Sequence, residues 1–203
     1  MPPRSSTAPS SPKRAAVQAA VLSSTEQLLD EGATYADLNI EKIATRAGIS
    51  RTAFYFYFAD KRELLMRLTE DVTDELYTQA DIWYSGSGDP EAEIREALAN
   101  IARLYEQHGT LLRAIVEVST YDDEVAMFWR ALMGRFVEAT RLRIAAEQEA
   151  GKSSGFEPAS TAFALCWMAE RVLYQELVQS NPIARADLVE ALVCIWMRTI
   201  YDR

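Results

Sequence analysis

From residue 13 onward, apolar residues recur at intervals of three and four, and no stretch alternates apolar with polar as a half-buried strand would. With 8 glycines and 7 prolines in 203 residues, the chain also has few points at which a helix must stop. The pattern therefore predicts an all-α protein. Helices are expected over residues 13–30, 40–46, 51–58, about 61–84, 90–107, 110–119, 122–150, 160–179 and 184–201. Punctuation residues support the boundaries. Gly32 and Gly48 read as stop signals, and Asn39, Ser50 and Asp60 as N-caps, with Glu63 three residues after Asp60 as in a capping box. Ser85-Gly86-Ser87-Gly88-Asp89-Pro90 reads as a break, and so do Gly151-Lys152-Ser153-Ser154-Gly155 and Ser180-Asn181-Pro182. Residues 1–12, rich in Pro and Ser, are expected to form a disordered tail.

Composition narrows the class. The chain is 49% apolar and 25% charged, as a soluble globular protein is. No apolar run approaches the ~20 residues of a membrane span. The first residues lack the apolar stretch of a signal peptide, so a cytoplasmic location is expected. Cys166 and Cys194 both fall in apolar helical patterns and are expected to be small buried residues with free thiols. The net charge of −9 is unevenly placed. Residues 1–62 carry eight Lys/Arg against six Asp/Glu, a balance of +2, and residues 63–203 carry thirteen against twenty-four, a balance of −11. An acidic body is compatible with a nucleic-acid-binding face, because charges beyond ~10 Å are screened at physiological salt.

The most informative stretch is residues 38–58, Leu-Asn-Ile-Glu-Lys-Ile-Ala-Thr-Arg-Ala-Gly-Ile-Ser-Arg-Thr-Ala-Phe-Tyr-Phe-Tyr-Phe. Two short helices meeting at Ala47-Gly48-Ile49 match a helix-turn-helix, with Gly taking the turn and Ala44 allowing close approach. Ile40, Ile43, Ile49, Phe54 and Phe58 supply a small core. If Phe54 and Phe58 face inward, the helical period turns Arg51, Thr52, Tyr55 and Phe56 outward together. Arg51 stands where a base edge or phosphate is met, Tyr55 and Lys61 suit phosphate contact, and Asn39, Ser50 and Tyr57 complete the candidate DNA-binding set.

Residues 48–58, followed by Asp60-Lys61-Arg62-Glu63-Leu64-Leu65, resemble the DNA-binding signature of the TetR family of repressors. The phenylalanine-rich form, and the ending Cys194-Ile195-Trp196-Met197-Arg198-Thr199-Ile200-Tyr201, is similar to the EthR-type repressors of mycobacteria. The resemblance implies a nine-helix protomer: an N-terminal three-helix helix-turn-helix domain (13–59) and a six-helix ligand-binding and dimerisation domain (60–203). It further implies a homodimer through the last two helices, binding to palindromic operator DNA, and release by a small-molecule effector that shifts the fourth helix.

The last two helices carry Leu165, Trp167, Met168, Val172, Leu173 and Leu177, then Leu188, Val189, Leu192, Val193, Ile195 and Trp196. They are apolar on more than one face, which fits one face on the protomer and another on a partner. Tyr105, Phe128, Trp129, Met133, Phe136, Tyr174 and Trp196 are candidates to line a cavity for a hydrophobic effector, and Cys166 joins them. EthR-type proteins offer asparagines as polar handles on the eighth helix, where this chain aligns Cys166 and Ala169. His108, the lone histidine, reads as a solvated helix cap. Spacing offers no metal cluster, nucleophile–base set or glycine-rich nucleotide loop, so no cofactor, metal site or catalytic activity is expected. A helical binding protein that no longer reads DNA is the main alternative, and a helical enzyme the weaker one.

Overall fold

In a computed structural model, residues 12–153, 155–179 and 183–201 are described. The expected tail up to residue 11, Ser154 of the loop at 151–155, the break at 180–182 and residues 202–203 lie outside the described residues. Among the described residues there are nine α-helices, one π-helical turn and no strand: α1 (Pro12–Asp30), α2 (Ile40–Arg46), α3 (Arg51–Phe54), α4 (Lys61–Tyr84), α5 (Pro90–Gln107), α6 (Gly109–Val118), α7 (Asp123–Glu149), α8 (Pro158–Leu173), the π-turn Tyr174–Val178, and α9 (Arg185–Tyr201). No helix among the described residues is long and apolar enough to cross a membrane. The chain divides into two compact units between Leu65 and Met66.

The first unit is organised by α1, α2 and α3 around Val21, Leu28, Leu29, Leu38, Ile43, Phe54 and Phe58, all buried. Of the residues expected in its core, Val17, Leu22, Ile40 and Ile49 are only half-buried. Thr25 is also buried, and its Oγ1 donates to the Val21 carbonyl one turn earlier at 2.8 Å, so no polar atom is stranded there. Helix α1 closes on Gly32, whose φ of +93° only glycine adopts cheaply.

The second unit holds most of α4 and all of α5–α9, with α7 against α8 and α5 against α9. Asp89 starts α5, its carboxylate accepting from the Ala92 N–H at 3.0 Å, with Pro90 in the first turn. A buried charge cluster ties several elements together. Arg143 of α7 donates to Glu147 at 2.7 Å and to the Tyr84 and Gly86 carbonyls at the end of α4. The same guanidinium lies 3.8 Å from Glu93 of α5 and stacks 5.6 Å from the Trp83 ring centre.

Three expectations are corrected. Helix α3 ends at Phe54, because the backbone tightens: Phe56 and Tyr57 N–H bond to the Ala53 and Phe54 carbonyls three residues back. The eighth helix ends at Leu173 and passes into the π-turn. Cys194 is exposed. On α9 the buried stripe runs through Leu188, Val189, Leu192, Val193, Trp196, Met197, Ile200 and Tyr201, and the same period leaves Cys194 and Ile195 on the outer face.

Candidate functional site

Two places bring the candidate residues together, one in each unit. In the first, the turn between α2 and α3 is fixed from both ends. Asn39 Oδ1 accepts from the Lys42 N–H at 2.8 Å and starts α2, and Ser50 Oγ accepts from the Ala53 N–H at 3.0 Å and starts α3. Between them the Ile49 N–H donates to Ala44 O at 3.0 Å and the Gly48 N–H to Thr45 O at 3.1 Å. This pair of bonds satisfies the last carbonyls of α2 with Gly48 at φ +69°.

Phe54 and Phe58 face the core with ring centres 5.5 Å apart, and that choice dictates what stands outside. Arg51 and Thr52 are exposed, Tyr55 is 47% exposed and Phe56 72%. Arg51 makes no ion pair among the described residues, so its guanidinium is available. Tyr57 is half-buried under the Arg14 guanidinium, 5.8 Å from its ring centre, and Arg14 also donates to the Phe56 carbonyl at 3.2 Å. Arg46 is committed elsewhere, making two bonds to Glu31 that hold the Glu31 carboxyl below its ordinary range. Lys61 is half-buried. Its Nζ donates to the Tyr35 and Leu38 carbonyls at 2.7 and 2.8 Å and lies 4.3 Å from the Tyr35 ring centre, and burial lowers its pKa. Two of its three N–H bonds therefore hold the preceding loop. The signal for this role was faint: Tyr35 and Leu38 are apolar neighbours of a turn, and their carbonyls leave no mark on the sequence.

In the second unit a cavity of about 80 Å³ opens between α4, α5, α7, α8 and α9. Six of the eight candidate ligand residues line it: Tyr105, Trp129, Met133, Phe136, Cys166 and Trp196. Phe128 and Tyr174 do not. Phe128 is half-buried on α7, and Tyr174 packs under the Arg171 guanidinium and accepts from Gln179 Nε2 at 2.9 Å. Trp83 and Tyr84, late on α4, also line the cavity and were not anticipated, although their spacing of three and four residues from Ala80 is visible in the sequence.

The polar atoms of this cavity are of two kinds. One set is mutually satisfied. Tyr84 donates to the Phe136 carbonyl at 3.4 Å, Thr140 donates to Tyr84 at 3.2 Å, and Cys166 Sγ lies 3.3 Å from Thr140. Since the Thr140 hydrogen is used on Tyr84, the Cys166 thiol is the donor, and burial raises its pKa to about 11. The other set is unsatisfied: both carboxylate oxygens of Glu170, itself 3% exposed, and the Trp196 indole N–H lack a hydrogen-bond partner. Burial raises the Glu170 pKa, with Arg171 opposing it. His108 ends α5 half-buried, its Nε2 3.8 Å from Glu75. Among the described residues no group of His, Cys, Asp and Glu has the arrangement of a metal site.

Comparison with known proteins matches two family models along the chain. The family described as "Bacterial regulatory proteins, tetR family" matches residues 21–68, and "Transcriptional regulator EthR, C-terminal domain" matches residues 94–202. The HTH-type transcriptional regulator EthR of Mycolicibacterium smegmatis is 32% identical over 191 residues, spanning 91% of this chain and 86% of that protein. The protein of the same description from Mycobacterium tuberculosis is 30% identical over 186 residues, spanning 90% and 86%. Among solved structures, AibR in complex with isovaleryl coenzyme A and operator DNA superposes with a TM-score of 0.65 at 16% identity, covering 88% of this chain and 97% of that one. At that identity the likeness speaks for the fold.

Proposed function

Because the chain belongs to the TetR family of bacterial regulatory proteins, in its EthR branch, and is a helix-turn-helix transcriptional regulator, we propose that it represses transcription as a homodimer bound to a palindromic operator. In this reading residues 13–59 form the DNA-binding domain and residues 60–203 the ligand-binding and dimerisation domain. The observation that carries it is the exposed face of Arg51, Thr52, Tyr55 and Phe56 on a turn fixed by Asn39, Gly48 and Ser50. A free guanidinium at a helix start, with a phenol and a phenyl ring beside it, suits base edges and phosphates. An exposed Phe56 gains nothing in water and needs a partner surface. Tyr57, flanked by Arg14, and Lys61, through its remaining N–H, complete the contact set.

Dimerisation follows from the operator, since two half-sites on one face of a duplex must be met ~34 Å apart or at a multiple of it. Helices α8 and α9 supply the surface: Phe163 is 58% exposed and Ile195 42%, large apolar side chains on the outer faces of helices whose other faces are buried. The effector is a lipophilic small molecule held in the cavity of the second unit, with Phe128 and Tyr174 outside its wall and the other six candidates in it. Helix α4 supplies Leu76, Ala80 and Trp83 to that wall, so occupancy bears directly on it. A ligand shifts such an equilibrium only by its differential affinity for the two states. A fold relative solved with both isovaleryl coenzyme A and operator DNA supports the pairing of functions.

The test is selection from random duplex DNA, with the winner titrated by fluorescence anisotropy at two salt concentrations. Enrichment of an inverted repeat, bound with an affinity that falls steeply with salt, is the expected result. Weak binding of every sequence alike would refute operator recognition and leave the cavity as the seat of function.

A further inference from the structure

We infer that the effector of this cavity is a lipophilic amine, whose ammonium group is taken by the Glu170 carboxylate while its apolar body lies among the tryptophans. The inference rests on the reading of the cavity as an effector pocket and names the chemistry it selects.

A carboxylate is acceptor-only when ionised, with about four lone-pair sites. Glu170 is 3% exposed, lines the cavity, and has neither oxygen hydrogen-bonded. Its sequence neighbour Arg171 forms an ion pair with it but no hydrogen bond. Arg171 Nε stands 3.6 Å from Oε2, beyond hydrogen-bond length, and the Arg171 side chain is 51% exposed and stacked 5.3 Å from the Tyr174 ring centre. The cavity's other unpartnered polar atom, Trp196 Nε1, is a donor, yet it is not bonded to Glu170. Of the other polar groups, Tyr84 and Cys166 are engaged in the Thr140 chain and Thr73 donates to the Thr69 carbonyl at 2.6 Å, while the Tyr105 hydroxyl lies in the field of Glu170 without a hydrogen bond to it. A buried acceptor left open at one wall therefore asks for a ligand that brings hydrogen-bond donors and, for preference, positive charge.

The other walls point the same way. Trp83, Trp129 and Trp196 surround the space, with the Trp83 and Trp196 rings edge to face at 5.6 Å between centres. Indole faces attract cations as well as alkyl groups. A carboxylate-bearing ligand meets the opposite situation, a like charge in a largely apolar site without a basic lining residue. A neutral lipid gains the apolar contact and leaves Glu170 as it was.

Three probes with one tail separate these cases: 4-phenylbutylamine, 4-phenylbutanol and 4-phenylbutyrate, titrated calorimetrically against the full-length protein. The amine is expected to bind at a single site roughly 10- to 100-fold more tightly than the alcohol, the range of a hydrogen bond to a charged group, with the carboxylate weakest. Glu170→Gln, close in shape and neutral, is expected to bring the amine down to the level of the alcohol. Melting curves of the variant establish that it is folded, and the wild-type ranking needs no variant at all. Alcohol and amine binding alike to the wild type, or an amine preference that survives Glu170→Gln, would overturn the inference and leave an apolar effector pocket intact. Failure of all three probes to bind would overturn the pocket and the inference together.

Discussion

Gly48 shows how one backbone angle sets up an exposed face. At φ +69° it lets Ile49 and its own N–H reach back to close α2, and the chain then turns directly into the Ser50 cap of α3. A β-carbon added there meets nothing within 4 Å, so the cost of Gly48→Ala is conformational and not steric. It is expected to lower stability by about 1 kcal/mol, seen as a melting temperature roughly 2–4 °C lower by circular dichroism. Glu170 makes the opposite kind of statement. Burial raises its pKa, Arg171 pulling it back and the Tyr105 hydroxyl lying in its field. The folded state thus favours the protonated form, a stabilisation fully present below the ordinary value of 4.5 and lost as pH rises through the folded pKa. Glu170→Gln is accordingly expected to melt above the wild type at pH 7, with the gap closing toward pH 4. No gap at pH 7 would mean the carboxylate is already paid for by its surroundings.

At the scale of elements, Arg143 couples α7 to α4 and α5 through side chains that are nearly buried, 12% exposed for Arg143 and 9% for Glu147. Removing the cation leaves two carboxylates and two carbonyls facing an apolar indole. Arg143→Met is expected to cost roughly 3 kcal/mol in urea unfolding, as loss of one partner of a buried pair does. Sequence reasoning found the helices because their ends carry chemistry: Asn39, Ser50, Asp89-Pro90 and Gly48 each satisfy terminal backbone groups locally. It turned Arg51, Thr52, Tyr55 and Phe56 outward, as observed, because Phe54 and Phe58 are four residues apart and both buried. It missed the end of α3 because the tightening at Phe56 and Tyr57, whose N–H groups bond three residues back, leaves no local mark among five consecutive aromatics. The π-turn is equally silent, since Tyr-Gln-Glu-Leu-Val at 174–178 differs in no local respect from α-helix. In the cavity, six of the wall residues, four of them aromatic, were legible on the middle and late helices, but nothing in the sequence marks Glu170, beside Arg171, as buried.

For the whole molecule, the proposal that two protomers meet through α8 and α9 makes a prediction distinct from folding. Phe163→Asp with Ile195→Asp places like charges on both copies of a self-complementary surface. Light scattering is expected to report a monomer, and operator affinity to fall by at least about 100-fold although Arg51 and Tyr55 are untouched. A variant that stays dimeric would move the interface to another face. Conversely, Arg51→Ala or Tyr55→Ala should leave the dimer intact and weaken operator binding by roughly 10- to 100-fold each, which separates reading from assembly.

The placement of the tryptophans has an optical consequence. Of the four in the chain, Trp83, Trp129 and Trp196 line the cavity, and the fourth, Trp167, lies half-buried on α8 beside Phe163. Three of the four indoles that emit ultraviolet light from the untreated protein therefore stand in the walls of the cavity proposed to hold the effector. Trp167→Phe silences the only indole outside it, and what remains is a built-in lamp whose colour and brightness follow occupancy without a dye or a label.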